Sequence, residues 1–184
     1  MTYFRQLILF GRGGMGVVTA AEILAEAVAQ EGKYGQSLPF FGMERRGAPV
    51  RSFVRISSEP IWVRSEVTEP DYVIVVDQSL LTLLDVTRGL KTDGMLIVNS
   101  SEKPQILKEK LQLKFRVATV NATKIALEEI KVPIASTAML GAFAKVTNEI
   151  SLESIRKAVL TRLSGEIGQK NIRAIERAYK EVLF

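Results

Sequence analysis

The chain alternates between unbroken apolar runs of four or five residues and longer stretches in which apolar positions recur every three or four. Residues 6–10 (QLILF) end on a glycine cluster and predict a buried strand. From Met15 to about Glu31, the positions Val17, Ala21, Leu24 and Val28 share one side of a helical period, and Gly32 closes the predicted helix at its C′ position. Residues 34–41 predict a second strand, interrupted by Pro39. A polar loop over 42–49 leads to an alternating run at 50–57. Ser58-Glu59-Pro60 then reads as a turn and 61–64 as the returning strand, which together predict a β-hairpin.

The second half is more regular. Runs at 72–76 (YVIVV), 95–98 (MLIV) and 115–120 predict strands, separated by helices over 79–90 and 105–113. Asn121 is expected to cap a helix at 123–130. Helices then dominate, at 135–146, 152–163 and 169–183, with Ser151 as an N-cap and Glu153 in the first turn, where the helix dipole favours a negative charge. Gly165 and Gly168 punctuate the last two. Fully apolar strands alternating with helices predict a Rossmann-like α/β fold: a mostly parallel sheet with helices on both faces, a β-hairpin insertion and a helical C-terminus. Without internal repeats, low-complexity tracts or a linker, residues 1–184 are expected to form a single domain.

Composition narrows the chemistry sharply, because the chain has no Cys and no His. It therefore offers no disulfide, thiolate nucleophile or Cys-ligated iron–sulfur cluster, and it lacks both the usual general base near neutral pH and the commonest metal ligand. No paired Asp/Glu spacing argues for magnesium either, so no catalytic or metal-ligating residue is expected. The net charge of +5 does not point to nucleic acid. Lys and Arg are interleaved with Glu on the helices, as at Glu153, Arg156 and Lys157 or Glu176, Arg177, Lys180 and Glu181, the pattern of a solvated helix face. No apolar run approaches the roughly 20 residues that span a bilayer, and the first residues lead straight into a strand with no signal-peptide pattern. A cytoplasmic protein with neither nucleic-acid nor membrane partners is expected.

Two constellations remain. Gly11-Arg12-Gly13-Gly14-Met15-Gly16 carries G-x-G-x-x-G directly after a strand and at the opening of a helix. Such a turn aims free backbone N–H groups and the positive end of the helix at an anion, and Arg12 is expected to add a mobile positive charge. The alternative is that the glycines only allow a sharp turn and close packing, although four glycines in six residues exceed that need. An NAD site would require an acidic residue near the end of the second strand; residues 32–42 hold none, so a phosphate of some other ligand fits better. The second constellation is the loop Glu44-Arg45-Arg46-Gly47, whose guanidinium groups suit phosphates, carboxylates or the acidic groups of a partner, and which reads equally well as a solvated turn with one ion pair. Loops leaving the carboxyl ends of parallel strands share one rim, so the two constellations are expected to be neighbours. Asp77-Gln78-Ser79, Asn99-Ser100-Ser101 and Asn121-Ala122-Thr123 on that rim read as caps and turns, and the small residues of 136–142 as close helix packing. Arg51, Arg55 and Arg64 are expected on one exposed or interface face of the hairpin.

Taken together, Gly11-Arg12-Gly13-Gly14-Met15-Gly16 with Thr19-Ala20-Ala21-Glu22-Ile23-Leu24, the loop from Phe41 to Val50, Glu69-Pro70-Asp71-Tyr72-Val73-Ile74, Asn121-Ala122-Thr123-Lys124-Ile125-Ala126 and Thr137-Ala138-Met139-Leu140-Gly141-Ala142-Phe143 resemble, in order and spacing, the gamma subunits of the 2-oxoacid:ferredoxin oxidoreductase family. The Glu-Arg-Arg-Gly-Ala-Pro loop is more similar to the pyruvate synthase branch than to the indolepyruvate branch. The resemblance implies a subunit, inactive alone, of an enzyme that converts pyruvate, coenzyme A and oxidised ferredoxin to acetyl-CoA, carbon dioxide and reduced ferredoxin. It implies alpha, beta and delta partner subunits carrying thiamine diphosphate with magnesium and [4Fe-4S] clusters, with ferredoxin met through the complex. It further implies a coenzyme A contact at Gly11, Arg12, Gly13, Gly14, Gly16, Glu44, Arg45, Arg46 and Gly47. Other 2-oxoacids such as 2-oxoisovalerate, a free-standing nucleotide-binding regulatory module, and a pure scaffold are the competing readings.

Overall fold

A computed structural model describes residues 3–40 and 47–184. In chain order the elements are β1 (Phe4–Arg12), α1 (Val17–Gln30), β2 (Tyr34–Phe40), β3 (Pro49–Ser57), β4 (Tyr72–Val75), α2 (Leu80–Leu83), β5 (Met95–Asn99), α3 (Pro104–Lys110), β6 (Arg116–Val120), α4 (Ala122–Glu129), α5 (Ser136–Thr147), α6 (Leu152–Arg162) and α7 (Gly165–Glu181). The strands form one sheet in the order β2-β3-β1-β4-β5-β6. β1, β4, β5 and β6 run parallel, while β3 is antiparallel to both of its neighbours. The fold is the expected α/β architecture with a mostly parallel sheet, helices on both faces and a helical C-terminus.

Side chains alternate strictly across the sheet, as period-2 geometry requires. Leu7, Leu9, Val54, Ile56, Ile74, Ile97 and Ala118 pack under α1, α4, α5, α6 and α7. Ile8, Phe10, Phe53, Val73, Val75, Leu96 and Val98 face the other way, against Leu80 of α2, Leu107 of α3 and the irregular-chain residues Val67, Val86 and Leu90. The first face is thick and the second thin. On the thick face Gly141 brings α5 and α7 into backbone contact, since a Cβ there would stand 2.0 Å from the Ile175 carbonyl oxygen. The small residues of 136–142 are packing residues, as expected.

Several boundaries differ from the sequence expectation. The hairpin pairs β2 with β3 (Tyr34↔Ser57 through Phe40↔Arg51), and residues 61–64 form no strand. Both edges of β3 are already taken by β1 and β2, so a returning strand has nothing to pair with. The helix expected at 79–90 is limited to α2, after which Asp85 Oδ1 accepts from the Thr87 N–H at 3.2 Å and from its hydroxyl at 2.9 Å, a side-chain turn that competes with helix. α1 begins at Val17 rather than Met15. α7 begins at Gly165, not at residue 169, and so contains Gly168, where a Cβ would meet the Leu163 carbonyl oxygen at 1.9 Å.

At the amino ends of the strands, opposite the glycine turn, a buried polar network joins three elements. Asp71 accepts from the Gln6 N–H at 2.8 Å, from Lys91 at 2.9 Å and from Arg5 at 3.3 Å. Arg5 also reaches Glu149, between α5 and α6, at 3.3 Å, and the Tyr72 hydroxyl donates to the same carboxylate. Burial pushes the Glu149 carboxyl up to about 7.

Candidate functional site

β1 delivers the chain to the carboxyl rim of the sheet, where the glycine turn begins while Gly11 is still paired with Val50 of β3. The Met15 N–H donates to the Arg12 carbonyl at 3.0 Å and closes the turn. Two of the glycines are explained by packing: a Cβ on Gly11 would lie 2.3 Å from Val17 Cγ2, and one on Gly16 would lie 2.8 Å from the Ser136 hydroxyl at the start of α5. Gly14 is different. Its φ is +91°, which disfavours any side chain, yet nothing stands within 4 Å of where a Cβ would be.

The open space at Gly14 faces a bare helix start. Gly16, with φ +74°, is the N-cap of α1; it supplies no side-chain cap, and the first turn holds no acidic residue. The first N–H groups of a helix have no intrahelical partner, and the dipole adds partial positive charge at that end. A cavity of about 360 Å³ covers them, lined by Arg12, Gly13, Gly14, Gly16, Val17, Val18 and Val50. Beneath Gly16, the Ser136 hydroxyl is buried with no hydrogen-bond partner among the described residues. This arrangement of amides and partial charge is chemistry for an anion.

Arg12 does not behave as the mobile cation that the sequence suggested. Its Nε pairs with Asp77 at the end of β4, one terminal nitrogen donates to the Gly47 carbonyl at 3.0 Å, and the other donates to the Ser79 hydroxyl at 2.8 Å. The Gly13 N–H adds a bond to the Ala48 carbonyl at 3.0 Å. The glycine turn, the described end of the 42–49 loop at Gly47 and Ala48, and the approach to α2 are thus latched together. Burial acts to raise the Asp77 carboxyl, but hydrogen bonds from Ser79 and Arg12 outweigh it and hold it below its usual value.

Of the other sequence-predicted residues, Gly47 is placed with φ +87°, while Glu44, Arg45 and Arg46 lie outside the described residues. The remaining rim residues are structural, as expected. Asn121 accepts from the Lys124 N–H at 3.1 Å; Asn99 donates to the Val76 carbonyl at 2.8 Å and accepts from the Thr123 N–H at 3.1 Å. The roles of Asp77 and Ser136 were not foreseen. Asp77 meets its arginine across 65 positions of sequence, and Ser136 sits in a run whose small size speaks only of packing.

The chain is similar to known proteins over nearly its whole length. Residues 6–181 match the family model described as pyruvate ferredoxin/flavodoxin oxidoreductase. The chain is 52% identical over 172 residues to the pyruvate/ketoisovalerate oxidoreductases common subunit gamma of Pyrococcus furiosus, covering 93% of each. It is 50% identical over 173 residues to pyruvate synthase subunit PorC of Methanocaldococcus jannaschii, covering 94% of each. The solved structure of pyruvate oxidoreductase subunit PORC (EC 1.2.7.1) from Thermotoga maritima superposes with a TM-score of 0.87 at 38% identity, covering 97% of both chains.

Proposed function

The chain belongs to the pyruvate ferredoxin/flavodoxin oxidoreductase family, and from that premise we propose that it acts, as one domain, to hold the phosphates of coenzyme A in a gamma-type subunit of a pyruvate:ferredoxin oxidoreductase. In that reaction pyruvate loses carbon dioxide, its acyl group passes to the coenzyme A thiol, and an electron pair goes to ferredoxin. The thiamine diphosphate with magnesium and the [4Fe-4S] clusters belong to the alpha, beta and delta partners in this reading, because a chain without Cys or His lacks the usual ligands of a cluster. Its own work is recognition: amides at the start of α1 meet phosphate oxygens, and Arg12, latched by Asp77 and Ser79, fixes the turn and the loop end against each other.

The observation that carries the reading is the open backbone at Gly14 above an uncapped helix, next to the loop end that Arg45 and Arg46 immediately precede. Gly11, Gly13, Gly16, Glu44 and Gly47 complete the proposed contact as turn and loop formers. The test is steady-state kinetics of the assembled oxidoreductase carrying Arg45→Ala with Arg46→Ala. A rise of about tenfold or more in KM for coenzyme A, with kcat and KM for pyruvate unchanged, is expected; an unchanged KM reduces the turn to a packing device. The isolated chain is expected to show no pyruvate-dependent dye reduction.

A second reading concerns the substrate. Because relatives are named as common to pyruvate and ketoisovalerate oxidoreductases, the same subunit can serve a complex that takes branched 2-oxoacids. Its loss would then remove both activities from the cell extract.

A further inference from the structure

On the thin face of the sheet, cross-strand neighbours of β2, β3 and β1 fall into three rows: Gln36, Arg55 and Gln6; Leu38, Phe53 and Ile8; Phe40, Arg51 and Phe10. The sequence suggested an exposed or interface face for Arg55. Instead Arg55 is 1% exposed and commits every N–H of its guanidinium. Nε donates to Gln6 at 3.2 Å and one terminal nitrogen to Gln36 at 2.9 Å. The rest go to main-chain carbonyls of the irregular segment above it: Val63 at 3.5 Å, Ser65 at 2.6 Å and Glu66 at 3.4 Å. A segment without helix or strand is thereby held in one shape.

What that segment presents is unusual for a protein working alone. The only Trp of the chain, Trp62, is 86% exposed, and Val63 beside it is 49% exposed. The segment ends at Glu66, which lines a groove of about 780 Å³ together with Ile8, Phe40, Leu84 and Arg88. Among the described arginines, Arg64 and Arg88 alone have neither an ion pair nor a side-chain hydrogen bond; Arg5, Arg12, Arg51, Arg55, Arg116, Arg156, Arg162, Arg173 and Arg177 are all engaged. An exposed Trp on a backbone held in one shape, with the free guanidinium of Arg64 two residues on and that of Arg88 in the groove where the segment ends, has the composition of an interface hot spot, and the fixed backbone lowers the ordering cost of association.

We infer that the thin face around Trp62 is where this chain docks onto another subunit of its oxidoreductase, and that the partner offers an apolar socket for Trp62 flanked by carboxylates for Arg64 and Arg88. The charge pattern selects this occupant over a second copy of the chain. Two copies would each bring a net charge of +5 to a shared interface, and the carboxylates that this groove itself holds, Glu66 and Asp85, are already engaged by Arg51 and Thr87, whereas a guanidinium leaves water favourably only against an anion. The inference rests on the gamma-subunit reading above.

The single Trp allows a direct test. The oxidoreductase is assembled with this chain labelled by fluorotryptophan, so that one fluorine resonance reports on Trp62. Free chain should show the chemical-shift difference between light and heavy water of an exposed indole, and the assembled complex should lose it. Arg64→Glu with Arg88→Glu should weaken association at least tenfold, Trp62→Ser about 30-fold, and Leu160→Ser on the thick face not at all. A resonance that keeps its solvent sensitivity in the assembled complex overturns the inference. So does one that loses it in the isolated chain as concentration rises, which would mark self-association. If the wild-type chain joins no complex, it is the gamma-subunit reading that fails.

Discussion

The two faces of the sheet share their strands and are closed by different means. On the thick face, five helices bury continuous aliphatic surface, with Leu7, Leu9, Ile74 and Ile97 under α1, α5 and α7. On the thin face, among the described residues, two short helices contribute little more than Leu80 and Leu107, and near β2 and β3 a buried guanidinium takes over what a helix would otherwise do. The first mode is non-directional and scales with apolar area; the second depends on a few aligned hydrogen bonds. The thick face is therefore the place to look for stability and the thin face the place to look for recognition.

The sharpest way to break that contrast is Phe143→Ala. Phe143 is fully buried in the thick face and meets the Tyr72 ring edge-on at 5.5 Å. Its truncation should cost about 3–5 kcal/mol in urea unfolding. A loss below about 1 kcal/mol would mean that the thick face is not the main store of stability. Arg55→Met comes next. It strands the carbonyls at 63, 65 and 66, with an expected cost of about 2–4 kcal/mol, and unlike Phe143→Ala it should also lower the fluorescence anisotropy of Trp62 as the segment loosens.

Glu149→Gln separates the faces by pH. Burial raises the folded-state value of Glu149 to about 7 from 4.5, so its neutral form is the one the fold favours. Wild-type stability should fall as pH rises from about 4.5 through 7, on the order of 2 kcal/mol. The Gln variant should lack this slope and be the more stable protein at pH 8; equal slopes would show that Arg5 and Tyr72 already hold the carboxylate ionised. Asp77→Asn is the mildest. Its folded value lies below the usual one, so its contribution, about 1 kcal/mol, is present above pH 4 and lost as pH falls through the lowered value. Wild type and variant should converge in acid. At neutral pH, hydrogen exchange at the Gly13 amide should quicken.

Legibility in the sequence follows the same division. β4 and β5 are dominated by Val, Ile and Leu, β6 is a short run of Val, Ala and Thr, and all three lie within a residue or two of their expected bounds. The glycine turn announces itself because positive φ and close approach leave glycine no rival. Residues 61–64 form no strand because the segment's shape is set by Arg55, and nothing in the letters says that an arginine will be buried by carbonyls eight to eleven residues away. Arg12 was misjudged for a similar reason, since its partner Asp77 is brought close only by the parallel pairing of β1 with β4. The hairpin was assigned to the wrong pair because strand-edge occupancy is a property of the sheet, not of the segment.

The reversed strand β3 has a consequence for how such a subunit diversifies. Because β2 runs to the carboxyl rim and β3 runs back from it, strands already in register stand on either side of their connection, and Gly47 and Ala48 at its end are tied to the glycine turn. Length and charge can change there without shifting any pairing in the scaffold. Selectivity at the rim and solidity of the body can accordingly evolve as separate traits.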